Sequence, residues 1–230
     1  METALHRELK ERFGPASGGR LEVTLGAFRI DAVTQDGMLV EVQSGALGPL
    51  RSKLERLLKT SSVRVVKPVI VAKRIVRRAR RDGVDVSARC SPKRTSIFDV
   101  FDDFIGLASL FPHPRLTVDV LAVEVDEVRI ARKRRPGYEV VDRRLRSVVS
   151  SITLNQAADL WKLLPVTPDG AFTTRQLADV LARPLPFAQR VAYCLRLSGA
   201  VESVGKVGNH RLYHRADTRP AASSTSLRAF

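Results

Sequence analysis

Three polar residues with the chemistry of a metal-dependent site lie close together in an apolar part of the sequence. Asp31 belongs to the run Phe28–Val33, and Glu41 and Gln43 belong to the run Met38–Gln43. Two carboxylates held side by side repel each other unless a cation lies between them, and their hard oxygens suit Mg²⁺ or Mn²⁺. Such an ion would stabilise charge on a phosphate and acidify a bound water molecule. The residue types therefore predict a divalent-metal site that acts on phosphate.

The two carboxylates can meet only if the strands that carry them have one particular register. Alternate residues of a strand share a face, so a one-residue shift moves a side chain to the other side. A two-residue turn would place Asp31 opposite Val42, on the wrong face. A three-residue loop, Gln35–Gly37, would place Asp31 opposite Glu41, and Gly37 suits the left-handed position that ends such loops. We therefore expect the three-residue loop.

The order Glu8, Asp31, Glu41-x-Gln43 resembles the PD-(D/E)XK nuclease superfamily, over roughly residues 2–130 by element order. The resemblance implies an Mg²⁺- or Mn²⁺-dependent endonuclease that cleaves phosphodiester bonds. It assigns the metal to Asp31, Glu41 and the backbone carbonyl of Val42. It also implies that Glu8 supplies a third carboxylate from the preceding helix.

Gln43 departs from the family pattern, which has a lysine at this position to orient or polarise the attacking water. Glutamine is uncharged and can only orient, although some members of the superfamily carry it. Lys53, on the following helix, could send an ammonium group into the same site. Two hypotheses follow: an active endonuclease, or a catalytically inactive nuclease fold that binds DNA or regulates.

The chain also resembles a group of uncharacterised bacterial proteins with the same arrangement. That resemblance supports the domain plan and adds no activity. The matching segments are Arg20–Val23, Glu41–Gln43, Ser91–Arg94, Val140–Leu145 and Gly205–Asn209.

The elements that must position these residues follow from hydrophobic periodicity. The patterns predict an α/β (α+β) fold, and the resemblance implies a mixed restriction-endonuclease-like sheet flanked by helices. A basic run, Lys73–Arg81, is expected to end the sheet as an edge. The predicted helices are 1–13, 50–58 and 97–110, and the predicted strands are 20–25, 27–33, 38–43, 63–72 and 117–129.

The pattern changes from Thr153 onward. Helices are predicted at 154–164, at 173–182 after the capping box Thr173-x-x-Gln176, and at 186–198 before Gly199. A small hairpin follows, with strands 201–204 and 210–214. Three helices and a hairpin are the order of a winged helix. The predicted domains are 1–150, with a basic hairpin at about 127–146, and 151–215, followed by a disordered tail at 216–230.

The charge balance favours a nucleic-acid partner, with double-stranded DNA as the first expectation. The chain has 39 basic and 24 acidic residues, a net charge of +15, and such a surface attracts phosphate backbones. A solvated edge hairpin and a winged-helix adaptor that binds only proteins remain alternatives. The predicted contacts are Lys93, Arg94, Arg132, Lys133, Arg134, Arg135, Gln189, Tyr193, Arg196, Lys206 and Arg211.

The sequence also bounds the compartment. Its two cysteines, Cys90 and Cys194, imply no disulfide framework. No stretch approaches the roughly 18 apolar residues that a membrane span needs. We therefore expect a cytoplasmic protein with no membrane partner, and a homodimer remains open.

Overall fold

The computed structural model describes residues 2–81 and 83–216, and its architecture is mixed α+β. Short 3₁₀ segments occur at Pro15–Ser17, Gly48–Leu50, Ile97–Val100 and Ala157–Leu163. The α-helices are α1 Ala4–Phe13, α2 Arg51–Leu57, α3 Phe101–Phe104, α4 Thr174–Val180 and α5 Leu185–Leu197. The strands are β1 Arg20–Leu25, β2 Phe28–Val33, β3 Leu39–Val42, β4 Val63–Arg78, β5 Asp85–Cys90, β6 Leu116–Ala131, β7 Tyr138–Leu154, β8 Phe172–Thr173, β9 Val201–Val207 and β10 His210–Arg215.

Seven strands form one mixed sheet in the order β1-β2-β3-β4-β6-β7, with β5 also paired to β4. The β3–β4 and β4–β6 pairs are parallel, and the other pairs are antiparallel. The long strand β4 pairs with β3 through its first residues and with β5 through its last. Its middle therefore has a strand neighbour on the β6 side alone, next to the end of β3.

Each face of the sheet carries its own apolar core. Leu5 and Leu9 of α1 pack with Val40 and Val42 on one face. The opposite face carries α2, α3 and the C-terminal unit over residues such as Leu39. Because α1 and α2 lie on opposite faces, β3 is covered from both sides, and all four of its residues are buried.

The C-terminal unit packs on α3 and shares the larger core. The thiol of Cys194 approaches the Phe101 carbonyl at 3.8 Å, and the Ser198 hydroxyl donates to the Ala108 carbonyl at 3.3 Å. Its own sheet has the order β8-β10-β9 beside α4 and α5. The predicted capping box at Thr173 and Gln176 is confirmed, as is the left-handed Gly199 after α5, with φ +75°.

Several predicted boundaries are wrong for one reason, namely that long-range strand pairing extends the strands. The run Lys73–Arg81 does not end the unit at Lys73, because β4 continues to Arg78 beside β6 and β5. Strand β7 reaches Leu154, so the helix predicted at 154–164 is shorter, a 3₁₀ segment at Ala157–Leu163. Strand β8 was not predicted.

The helix predicted at 97–110 is a 3₁₀ turn, Ile97–Val100, followed by a single α-helical turn, Phe101–Phe104. Gly106 approaches Gly48 so closely that a Cβ on Gly106 would lie 2.4 Å from the Gly48 Cα. This backbone contact fixes the path of the chain after α3.

None of the helices between residues 2 and 216 has the length and apolar character needed to cross a membrane. The predicted disordered tail, 216–230, lies outside the described residues except for Ala216.

Candidate metal and nucleic-acid site

The three-residue loop between β2 and β3 is confirmed. The backbone N–H of Thr34 donates to the Met38 carbonyl at 2.9 Å, and the backbone N–H of Gly37 donates to the Thr34 carbonyl at 3.0 Å. Gly37 adopts φ +84°, which a side chain would disfavour. The strands pair Val33 with Leu39 and Ala32 with Val40, and this register continued by one residue would put Asp31 across from Glu41.

Beyond Ala32 the β2–β3 ladder ends, and the Asp31 side chain bridges the gap between the strands. Its Oδ2 accepts the backbone N–H of Val42 at 2.9 Å and lies 3.5 Å from His6 Nε2. Burial opposes ionisation of Asp31, but the hydrogen bonds from His6 and Val42 together outweigh it. They hold the pKa of Asp31 below its ordinary value of 3.8.

Glu41 is the more deeply buried carboxylate, with 4% of its surface exposed. Its Oε1 lies 2.6 Å from Lys53 Nζ, although no hydrogen bond of good geometry reaches that oxygen from the described residues. Burial raises the pKa of Glu41, and the nearby Asp31 charge adds to the rise. The Lys53 ammonium opposes both. The buried Glu41 and the half-buried Lys53 thus form an ion pair at the predicted site.

Lys53 also donates to the Arg29 carbonyl at 2.5 Å, so α2 does deliver an ammonium group to the site. Gln43 points elsewhere, because its side-chain amide donates to the Ala46 carbonyl at 2.9 Å. The structure therefore pairs Glu41 with Lys53 of α2 and Asp31 with His6 of α1, and the two carboxylates are close enough for the Asp31 charge to raise the pKa of Glu41. It holds the Gln43 side chain in the following loop.

Lys67 is a site neighbour that the sequence patterns did not reveal. It extends the β3–β4 register to a position across from Gln43, and only 1% of its surface is exposed. Its Nζ donates to the carbonyls of Ser44 and Gly45 at 2.9 and 2.7 Å and pairs with Asp103 at 2.8 Å. Lys67 therefore anchors the loop that follows the candidate site.

A pocket of about 440 Å³ opens beside Asp31. Glu2, His6 and Lys10 line it, and their i, i+4 spacing puts them on one face of the α1 region. Lys10 Nζ lies 2.6 Å from Glu2 and 2.7 Å from Glu22. The spacing was visible in the sequence, but the side of the helix that faces Asp31 was not.

The assignment of Glu8 to this site is wrong. Glu8 lies two residues from His6, about 200° around the helix, and it does not line the pocket beside Asp31. It faces β7, where burial raises its pKa and the Leu145 backbone lowers it. The carboxylate that lines the pocket with Asp31 is Glu2, which precedes α1.

The candidate ligands are oxygen atoms, which are the type of donor that a hard divalent cation prefers. They belong to two carboxylates, those of Asp31 and Glu41, and to the carbonyl of Val42 between the strands. The observation in favour of this fit is that Glu41 Oε1 is buried and has no well-aligned hydrogen bond from the described residues, only the Lys53 ammonium at 2.6 Å. Within the part of the chain that the structure describes, no three His, Cys, Asp or Glu side chains converge closely enough to hold a metal ion.

Lys93 and Arg94 do not lie near Asp31 and Glu41, which corrects their expected position. Lys93 lines a separate cavity with Lys73, Glu127 and Arg143, and Arg94 donates to the Ser91 carbonyl at 2.6 Å. Glu127 is buried there and pairs with three cations, Lys73, Arg129 and Arg143, at 2.5 to 3.4 Å.

The tip of the predicted basic hairpin is confirmed as a turn containing Gly137, whose φ is +82°. Strand β6 ends at Ala131, so Arg132–Arg135 lies in the exposed loop and not in a strand. No ion pair of these four residues is found with any described residue.

The predicted stripe on α5 and the predicted wing form one groove of about 330 Å³ in the C-terminal unit. Arg196 lies 6.0 Å from the Tyr193 ring. Lys206 pairs with Arg211 across the β9–β10 ladder and does not line the groove itself. The lining residues are Thr174, Gln189, Tyr193, Arg196, Asn209, His210, Arg211 and Tyr213.

Comparison with known proteins places the main sheet in a family. A family model described as "Domain of unknown function (DUF8091)" matches residues 3–155, more than half of the 230-residue chain. The chain belongs to this family. The matched region spans the seven-stranded sheet and ends one residue after β7, so the C-terminal unit lies outside it.

One curated relative is an "Uncharacterized protein" of Treponema pallidum (strain Nichols), with 38% identity over 155 residues. The alignment covers 65% of this chain and 61% of the relative, so the chain spans less than two thirds of that relative's length. No solved structure matches the chain significantly.

Proposed function

We propose that the protein binds nucleic acid, with double-stranded DNA as the first expectation, and that Asp31 and Glu41 form a metal-dependent site for phosphodiester hydrolysis. The observation that carries the proposal is the hydrogen bond from the Val42 N–H to the Asp31 carboxylate where β2 and β3 separate, with the buried Glu41 as the preceding residue of β3. An amphipathic surface strand would not bury Glu41 beside a lysine from a covering helix.

Mg²⁺ or Mn²⁺, bound by Asp31, Glu41 and the Val42 carbonyl, would stabilise charge on the phosphate and acidify water. The chain's own residues account for the rest of the proposal. The half-buried ammonium of Lys53 balances the Glu41 charge and would provide a donor beside the reacting phosphate. His6 and the Val42 N–H hold Asp31 ionised, ready to accept a cation.

The proposed architecture is a restriction-endonuclease-like sheet followed by a winged helix. The first part is supported by the mixed sheet with α1 and α2 on opposite faces of β3. The second is supported by the element order 3₁₀, β8, α4, α5, β9, β10 and by the three-stranded β8-β10-β9 sheet. In such a unit the groove beside Tyr193 and Arg196 would face DNA.

A catalytically inactive, DNA-binding scaffold is the second candidate. It is favoured by the Gln43 side chain, whose amide is engaged with Ala46 instead of the site. No third carboxylate joins Asp31 and Glu41 among the described residues. This protein would retain the basic surfaces and the nuclease-like sheet without turnover.

Cleavage of supercoiled plasmid with Mg²⁺ or Mn²⁺ separates the two candidates. The wild-type protein is compared with Asp31→Ala, Glu41→Ala and the control Glu55→Ala, which removes an exposed carboxylate from α2. Metal-dependent nicking that is lost in the first two variants and kept in the control supports hydrolysis. Intact DNA binding without nicking in any of the proteins supports the scaffold.

A further inference from the structure

The sheet extends beyond its helices as a four-stranded arm. The arm consists of the last part of β4, the whole of β5, the last part of β6 and the first part of β7. Its β4–β6 pairing continues as far as Arg78 and Ile130. Lys73 and Arg74 in this arm are neutralised by Glu127 and Asp126. At its outer end Arg78 pairs with Asp85, but not every cation there has such a partner among the described residues.

A cavity of about 500 Å³ lies at this outer end, between the β4–β5 and β6–β7 hairpins. Part of its wall is apolar, and Val86 at its rim is 66% exposed. No acidic side chain of residues 2–81 and 83–216 lines it. The lining residues are Ile75, Arg77, Arg78, Ala79, Val86, Ser87, Arg89, Arg129, Ile130, Ala131, Gly137 and Tyr138.

Two of the lining arginines have unused charge. Arg77 and Arg89 are exposed and form no ion pair or side-chain hydrogen bond with the described part of the chain. The other two are held in place: Arg78 pairs with Asp85 at 2.8 Å, and Arg129 bonds Glu127. The cavity therefore offers two free cations beside two fixed ones.

The apolar wall includes an aromatic ring. The Arg129 guanidinium lies over the Tyr138 ring, 3.7 Å from its centroid. Glu127 holds the same guanidinium, so both planar groups are fixed before any ligand arrives. Planar bases stack on aromatic rings and on arginine, largely without regard to sequence.

We infer that this cavity binds an unpaired nucleotide of a single-stranded nucleic acid. The base lies against Tyr138 and Val86, and the flanking phosphates lie on Arg77 and Arg89. The cavity falls in the range of small-molecule sites, about 300–1,000 Å³, so it admits one nucleotide and excludes the width of a duplex. The inference rests on the proposed nucleic-acid binding and not on the metal site.

The first test measures binding by fluorescence anisotropy in the presence of EDTA. The ligands are a labelled oligothymidine of ten nucleotides and a labelled duplex of the same length. Arg77→Gln/Arg89→Gln is compared with Arg7→Gln/Lys59→Gln, which removes two exposed cations from α1 and the end of α2. The first pair should weaken single-strand binding about tenfold and reduce its salt slope by about 1.4, from two phosphate contacts. Duplex binding should fall much less, and the control should change neither.

The second test asks whether the base is recognised. An abasic oligomer keeps the phosphates and should bind wild type at least fivefold more weakly, about the smallest effect expected of one stacked base. Tyr138→Leu should lose this discrimination and Tyr138→Phe should keep it, with circular dichroism confirming that both are folded.

Three outcomes would overturn the inference: equal binding of the abasic oligomer, equal loss of duplex and single-strand binding in the arginine variant, or equally effective competition by polyglutamate. If the inference fails in one of these ways but the wild-type protein still binds duplex DNA, the proposed nucleic-acid binding is retained. If the wild-type protein binds neither the single strand nor the duplex, both the inference and the proposed nucleic-acid binding are wrong.

Discussion

The Asp31 carboxylate accepts the backbone N–H of Val42 at 2.9 Å, across the point where β2 and β3 separate. A side chain here takes the place of a backbone acceptor in the ladder. This satisfies a buried donor that would otherwise be costly to leave unpaired. The same contact holds the Asp31 carboxylate at the residue that follows Glu41, so one hydrogen bond serves both the sheet and the candidate site.

Asp31→Asn should keep the fold but lose stability at neutral pH, by about 1 kcal/mol, because asparagine can accept from Val42 without the charge. The pKa of Asp31 is lowered in the folded protein. Its contribution is therefore present above pH 3.8 and is lost as pH falls through the lower, folded pKa. Urea unfolding at pH 7 and pH 3 should show the difference from wild type shrinking at pH 3.

Asp179→Asn is the matched control for this experiment, because Asp179 is an exposed carboxylate on α4. It should change the free energy of unfolding little at either pH. A difference between wild type and Asp31→Asn that is the same at both pH values would contradict the assigned pKa direction.

Glu41→Gln should have the opposite pH dependence. Burial raises the pKa of Glu41 above its ordinary 4.5, so the folded state retains a proton that the unfolded chain has lost. That contribution is fully present below pH 4.5 and is lost as pH rises through the folded pKa. Glutamine avoids the cost of ionisation. The melting temperature of the variant should therefore rise relative to that of the wild type as the pH increases from 4 to 7. Parallel melting profiles over this range would sink the prediction.

The sequence predicted the loop at Gly37 because local turn chemistry determines strand register. It could not predict which flank of α1 faces Asp31. The Leu5–Leu9 stripe points one side of the helix at the sheet, and either flank could then lie beside β2. In the structure the flank of α1 that carries Glu8 packs against β7, and the flank that carries His6 and Lys10 lies beside the candidate site, with Glu2.

Long-range partners also explain what the sequence did not reveal about β4. Its basic end resembled an exposed edge because the compensating acids, Asp126 and Glu127, lie some fifty residues away on β6. Lys67 lay within a run of apolar residues, and its partner Asp103 is on α3. Local patterns carry no record of such pairs.

Lys53→Met should destabilise the protein by about 3 kcal/mol at pH 7, because it leaves the buried Glu41 charge without its ammonium partner. Glu41→Gln should restore most of the loss when the two changes are combined. A double-mutant cycle by urea unfolding measures this coupling. Additive effects of the two substitutions would show that Lys53 and Glu41 do not interact in solution.

Arg196→Gln tests the groove of the C-terminal unit. Arg196 lines this groove with Tyr193, Asn209 and Arg211, so its loss should weaken duplex DNA binding several-fold. The salt slope should fall by about 0.9, the effect of one phosphate contact on B-DNA. Arg175→Gln, on the exposed side of α4, removes the same charge from the same unit outside the groove. Filter binding over a salt series should separate the two variants. Equal losses of duplex affinity in both would mean that DNA binding depends only on the net charge of the unit and not on the groove.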